Sequence, residues 1–251
     1  MKIALLQTKL FWEDPAKNCE HLIALLAQSA PCDLLIMPEL WASGFTMNPD
    51  IHQACTDVSD FLGQLAAERD LFLLSGIPEY NRQTQKQENR LVLFNRKGEK
   101  VGFYSKRKLF TYAGEHKSYG HGDQQVIWQI EDFKIAPLIC YELRFPELCR
   151  QVAPKADLMV FSANWPQSRQ SHWDRLLPAR AIENQAFVVG VNRLGLDANG
   201  LYYSGHSVVY SPQGELLLNC ESKEGIFSVE IDASVVHETR KKFPFLDDMT
   251  N

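Results

Sequence analysis

Short apolar runs recur along this chain, and they constrain its fold more than any other feature. They are KIALLQ (2–7), DLLIMPE (33–39), LFLLSGIPEY (71–80), RLVLFNRKGEKVGFYSK (90–106), FKIAPLIC (133–140), DLMVFSAN (157–164), AFVVGVNRLG (186–195), HSVVYSPQGELLLNC (206–220) and IFSVEID (226–232). Each has the length and composition of a strand or a hairpin. Lys97-Gly98 and Pro212-Gln213-Gly214 supply the turns inside two of them. Helical segments are expected between others, at 15–29, 57–69, 146–152, 171–184 and 234–242. Asp14 stands in the N-cap position of the first, and Pro15 at its first helical residue. Strands alternating with helices, with hairpins interspersed, predict an α/β layered fold around mixed sheets. There is no repeat, low-complexity tract or Pro/Gly/Ser linker, so residues 1–251 read as a single domain. The tail 246–251, LDDMTN, reads as a partly ordered or disordered end, or as a dimer-contact arm.

Composition excludes several classes. The formal net charge is −5, whereas a nucleic-acid binder needs clustered Lys and Arg. The basic run in YSKRKLF (104–110) is short and suits a solvated loop. Six cysteines, at 19, 32, 55, 140, 149 and 220, form no CxxC pair, and reduced thiols in a cytoplasmic protein are expected. The N-terminus lacks the pattern of a signal peptide, and no apolar run approaches the ~20 residues of a membrane helix. His116 and His121 lie near Glu115 and Asp123 without metal-ligand spacing, so no metal is expected. Gly120-His121-Gly122 lacks the context of a dinucleotide loop, no phosphate loop is present, and no cofactor is expected. A GxSxG elbow is also absent. A papain-like pairing of Cys140 with His172 or His206 stays open, although no papain-type signature surrounds Cys140.

Three reactive residues close apolar runs in the order Glu39, Lys106, Cys140. In α/β folds ligands gather outside the carboxyl ends of strands, so these ends can converge on one pocket. The chemistry of the set is sufficient. Cys140 would attack a carbonyl carbon, Glu39 would move protons, and Lys106 would stabilise the oxyanion and support the thiolate. Pro146 and Glu147 mark a helix start just beyond Cys140, where it would favour a thiolate.

MPEL (37–40), YSKRKLF (104–110) and ICYELRFPEL (139–148) resemble, in order, the three motifs of the nitrilase (carbon–nitrogen hydrolase) superfamily. FSANWP (161–166) and ARAIENQAFVVGVNR (179–193) are also similar to that family, and the resemblance runs from KIALLQ to about residue 230. YELRFPEL, NWP and RAIENQ together look most like its omega-amidase branch, which hydrolyses the terminal amide of 2-oxo dicarboxylic acid monoamides. The resemblance implies a four-layer α-β-β-α sandwich, paired into an eight-layer homodimer. It implies the triad Glu39, Lys106, Cys140, with the backbone N–H of Tyr141 as a second oxyanion donor. It also suggests Glu115 as a fourth catalytic residue, against the plainer reading of an exposed loop carboxylate. Lys108 stands where relatives commonly have histidine.

The expected activity is hydrolysis of 2-oxoglutaramate or 2-oxosuccinamate to the acid and ammonia through a cysteine thioester. The alternatives are an aliphatic amidase, a nitrilase, an N-carbamoyl amidase or an amide-transferring relative. Arg144 either anchors a substrate carboxylate or braces the Cys140 loop. Phe45, Tyr104, Phe110, Tyr112, Phe161 and Trp165 are candidate pocket walls that would serve equally as aromatic core. Arg180 and Glu183 sit three apart on a helix, as an ion pair supporting the same loop.

Overall fold

The computed structural model describes residues 1–250. In its first half run β1 (Lys2–Gln7), α1 (Pro15–Leu26), β2 (Leu34–Ile36), α2 (Ile51–Ala54), α3 (Val58–Arg69), β3 (Phe72–Asn81), β4 (Lys86–Phe94) and β5 (Lys100–Ser105). Then come α4 (Glu115–Ser118), β6 (Tyr119–Gly120), β7 (Trp128–Ile130), β8 (Phe133–Ile139), α5 (Pro146–Val152), β9 (Leu158–Ala163) and α6 (Gln170–Asn184). The last stretch holds β10 (Phe187–Asn192), β11 (Leu194–Leu196), β12 (Tyr202–Ser204), β13 (Val208–Tyr210), β14 (Leu216–Asn219), β15 (Gly225–Glu230) and α7 (Ala233–Lys242). Asp14 caps α1 as expected, its side chain accepting from the Lys17 N–H.

Two mixed sheets result. The first has the order β15-β1-β2-β3-β4-β5, with β6 beside β4, and the second β14-β13-β10-β9-β8-β7. Both share one plan, three parallel strands at the centre (β1, β2, β3 and β8, β9, β10) flanked by antiparallel ones. The period of two along each strand sorts side chains into three apolar layers. Ile3 and Leu5 of β1 meet Ile135 and Ile139 of β8 and Val160 of β9 between the sheets. Ala4 and Leu6 point the other way, against Leu22 of α1 and Leu62 of α3. Ala136, Leu138 and Met159 likewise turn from the second sheet to Leu148 of α5 and to Trp173 and Leu177 of α6. Three apolar layers between four sets of elements make the α-β-β-α sandwich. Strands apolar on both faces explain why their sequences read as continuous runs.

Some expectations are corrected. The first helix stops at Leu26, not residue 29, and the DLLIMPE strand ends at Ile36, so Glu39 sits in the turn beyond it. Tyr104 and Phe161 are core residues, one between the sheets and one under the second helical layer. In the tail, Phe245–Thr250 forms a 3-10 turn whose Leu246 packs on that same layer. Asn251 lies outside the described residues. The 146–152 helix is present, but a 3-10 turn over Cys140–Arg144 separates its start from the thiol.

Candidate active site

Cys140 follows β8 directly and turns the chain in a left-handed conformation, with φ at 44°. A non-glycine residue there is disfavoured by roughly 1–2 kcal/mol. The turn moves the side chain out of strand alternation and into a cavity of about 250 Å³, whose wall also includes Lys106, Phe45, Phe110 and Trp165. The thiol is 3.7 Å from the carbonyl oxygen of Asn164, at the end of β9. Parallel pairing of β8 with β9 sets that approach.

Glu39 reaches the same point from the first sheet. Its turn lies directly over Gly76 of β3, where an added Cβ would come within 2.6 Å of the Glu39 Cα and the Leu40 nitrogen. Only glycine permits so close a backbone crossing. The Glu39 carboxylate is fully buried and carries a complete set of donors. Oε1 accepts from Lys106 Nζ at 2.7 Å and from Asn89 Nδ2 at 2.8 Å, and Oε2 accepts from the Asn164 N–H at 3.0 Å. Asn164 also donates its side-chain amide to the Glu39 carbonyl at 2.7 Å. One asparagine thus ties the loop bearing Glu39 to the loop facing the thiol.

Lys106 follows β5 and is wholly buried. Its ammonium lies between two carboxylates, Glu39 and Glu115, the latter at 3.0 Å. Burial disfavours the charged amine, but the two carboxylates outweigh it and raise its pKa. Glu115, at the start of α4, is therefore no exposed loop residue; it is buried and also accepts from Asn89 and from the Phe110 N–H. Burial pushes the Cys140 thiol up, and the Glu39 carboxylate within hydrogen-bonding reach adds to this, while Lys106 opposes it.

A further glutamate, Glu142, escaped the sequence reading. It is fully buried in the turn after Cys140 and accepts from Tyr104 Oη at 2.8 Å and from the N–H groups of Arg107, Lys108 and Ile139 at 2.7, 3.2 and 2.7 Å. It locks the lysine loop to the cysteine loop. The ELR sequence alone carries no sign of this, because Tyr104, Arg107 and Lys108, the partners on the lysine loop, lie more than thirty residues away. Asn89 and Asn164 were missed for the same reason. From the other side, Arg180 donates to the Leu143 carbonyl at 3.1 and 2.8 Å and pairs with Glu183 at 2.8 Å, as expected of a support for this loop.

Of the expected walls, Phe45, Phe110 and Trp165 line the cavity, and so do Tyr141 and Arg144, which were expected in other roles. Tyr112 does not. It is 89% exposed, because the short turn Thr111–Ala113 directs it outward. His172 and His206 also lie off the cavity wall, so neither supplies a papain-like partner for Cys140. Among the described residues the Arg144 guanidinium makes no hydrogen bond to the rest of the Cys140 turn; it lies 4.7 Å from the Trp165 ring. Lys108 is exposed and rests over Phe145, contributing only its N–H to Glu142. Since histidine keeps that N–H, Lys108→His should change kcat/KM by less than about threefold, the range of a surface substitution. Steady-state ammonia release checks this, and a severe loss would mean that the Lys108 side chain works in the site.

The profile of the family described as carbon-nitrogen hydrolase matches residues 2–241. "Omega-amidase YafV" of Escherichia coli (strain K12) is 37% identical over 250 residues, covering 99% of this chain and 96% of that protein. "2-oxoglutaramate amidase" of Bacillus subtilis (strain 168) is 31% identical over 252 residues, covering 98% and 96%. Among solved structures, XC1258 from Xanthomonas campestris, a CN-hydrolase superfamily protein with an arsenic adduct in its active site, superposes with a TM-score of 0.92. It is 33% identical, and the match covers 99% of this chain and 96% of that one.

Proposed function

The chain belongs to the carbon–nitrogen hydrolase family, and from that premise we propose that it is an omega-amidase working through Glu39, Lys106 and Cys140. Its substrates are small 2-oxo dicarboxylic acid monoamides such as 2-oxoglutaramate and 2-oxosuccinamate. The similarity to an omega-amidase and a 2-oxoglutaramate amidase over nearly the whole chain supports this class. The observation that carries it is the cavity itself, which joins Lys106 and Cys140 to an Arg144 guanidinium stacked on Trp165. An amide and a remote carboxylate need those two ends.

The steps follow from the donors in place. The Cys140 sulfur adds to the amide carbon as its proton passes to Glu39. Lys106 Nζ and the Tyr141 N–H stabilise the oxyanion. Glu39 returns the proton to the departing nitrogen, and ammonia leaves. Water then attacks the thioester, giving a proton to Glu39, which passes it to the leaving sulfur. Acid, ammonia and the starting thiol result. Glu115 is a second carboxylate partner of Lys106, so the ammonium stays placed while Glu39 changes charge. No cofactor enters these steps.

Residues 1–251 act as one catalytic domain, which the apolar layer shared by both sheets supports. We also assign a homodimer, in line with the exposed apolar Ile182 on α6 and Phe245 in the tail. A reduced nucleophilic thiol suits the cytoplasm. Among the described residues no helix is long and apolar enough to cross a membrane.

The test is a substrate panel. 2-Oxoglutaramate or 2-oxosuccinamate should be hydrolysed at least about tenfold faster, as kcat/KM, than an uncharged amide of equal length, the worth of one charge-assisted contact. Arg144→Met should narrow the gap chiefly through KM. Faster turnover of nitriles, N-carbamoyl compounds or uncharged aliphatic amides by the wild type would defeat the omega-amidase assignment.

A further inference from the structure

Two guanidinium groups line the cavity, and they come from different elements. Arg144 follows Cys140 in its 3-10 turn, and Arg169 immediately precedes α6. Arg144 sits over Trp165, with Nη1 and Nη2 each 3.1 Å from Nδ1 of His172. Arg169 sits over Phe110, 5.3 Å from the ring centroid. Trp165 organises both, because its indole N–H donates to the Arg169 carbonyl at 2.8 Å. Among the described residues neither guanidinium has a carboxylate partner. Asp197, the acid on the same wall, is consumed internally. It accepts from the N–H groups of Asn199 and Leu201 and from Tyr203 Oη. Glu39 and Glu115 are bound to Lys106. Burial, and after it the charge of Arg169, hold Arg144 below the ordinary guanidinium range. Two like charges in a partly dehydrated wall repel each other until an anion joins them.

We propose that Arg169 is the second half of an anion clamp with Arg144, and that the pair selects amides whose far end carries a carboxylate beside a 2-oxo group. The proposal rests on the amidase reading and goes further, by naming the residue that rejects amino-acid amides. A carboxylate next to a ketone offers several oxygen acceptors, and two guanidinium forks on one wall offer several planar donors. Glutamine carries an ammonium where the ketone would be. It brings a positive charge to two others and no acceptor for the second fork. Arg169 touches no reacting atom and sets specificity only.

The experiment uses the full-length enzyme with Arg169→Met and Arg169→Lys, Arg144 being intact, and compares 2-oxoglutaramate with glutamine. Arg169→Met should raise KM for 2-oxoglutaramate roughly tenfold to a hundredfold, the worth of a hydrogen-bonded charge, with kcat much less affected. Its preference over glutamine should shrink, and Arg169→Lys should restore part of both. Unchanged KM and preference in the folded Met variant would overturn the clamp. A second arm titrates 2-oxoglutarate into Cys140→Ala by calorimetry, with and without Arg169→Met. Weaker binding in the double variant supports the clamp, and equal affinity overturns it. Should the wild type prefer uncharged amides while 2-oxoglutarate still loses affinity with Arg169→Met, the omega-amidase reading and the substrate selection both fall, and only anion binding by the two arginines stands.

Discussion

Cys140→Ala should leave a folded protein that releases no ammonia from any amide. The substitution removes one sulfur atom from a residue whose backbone is held independently of it. Ile139 is fixed by Glu142, and the Leu143 carbonyl by Arg180. The thiol lies 3.7 Å from the Asn164 carbonyl oxygen, a weak hydrogen bond. Its loss opens little volume, and a change in stability of about 1 kcal/mol or less is expected. Chemically the loss is complete, since no other thiol lines the cavity wall. Thermal melting would show the retained fold, and ammonia release the lost turnover. In the wild type, rapid quenching and mass spectrometry should find an acyl adduct on the peptide containing Cys140. Full activity in the alanine variant would remove the thioester mechanism.

Glu39, Lys106 and Cys140 were legible because each closes an apolar run, and a buried strand that ends on a reactive side chain has few reasons to do so. The four layers were partly legible in the same way. Runs apolar at every position announce burial on both faces, though not which face meets the partner sheet. What holds the reactive groups in register was invisible. Glu142, Asn89 and Asn164 draw their meaning from partners supplied by other strands and loops, and no local period encodes such contacts. Arg169 was hidden differently, since a lone arginine before a helix resembles any surface base until Trp165 is seen to hold it beside Arg144. Tyr112 was misread because composition favours aromatic walls, whereas one 3-10 turn decides which of two neighbouring rings faces inward. Phe110 won that place. The helix start after Cys140 was read correctly in position but given too direct a role. The turn Cys140–Arg144 intervenes, and it is burial and then Glu39 that push the thiol up, with Lys106 opposing them.

Lys106→Met should damage both catalysis and stability, and the second effect separates it from the cysteine substitution. The ammonium is wholly buried and bonded to two wholly buried carboxylates, at 2.7 and 3.0 Å. Replacing it by methionine keeps the volume but leaves Glu39 and Glu115 facing each other without a cation. Breaking such a pair typically destabilises by about 3–5 kcal/mol, because the remaining charge is buried and uncompensated. In the wild type the raised Lys106 pKa means that its contribution is complete below the unfolded lysine value of about 10.4, and is lost only as pH rises through the higher folded value. The wild type should therefore show no lysine-linked loss between pH 6 and about 9. The variant differs in sign. Two carboxylates without their cation bind a proton more readily, so its stability deficit should narrow as pH falls toward 5. Catalytically, one oxyanion donor is worth about 10²–10³ in kcat, and loss of the cation beside the thiol adds to that. Denaturant titrations at several pH values and steady-state ammonia release read the two effects independently. A Met variant as stable and as active as the wild type would mean that this buried ion triad neither holds the site together nor stabilises the transition state.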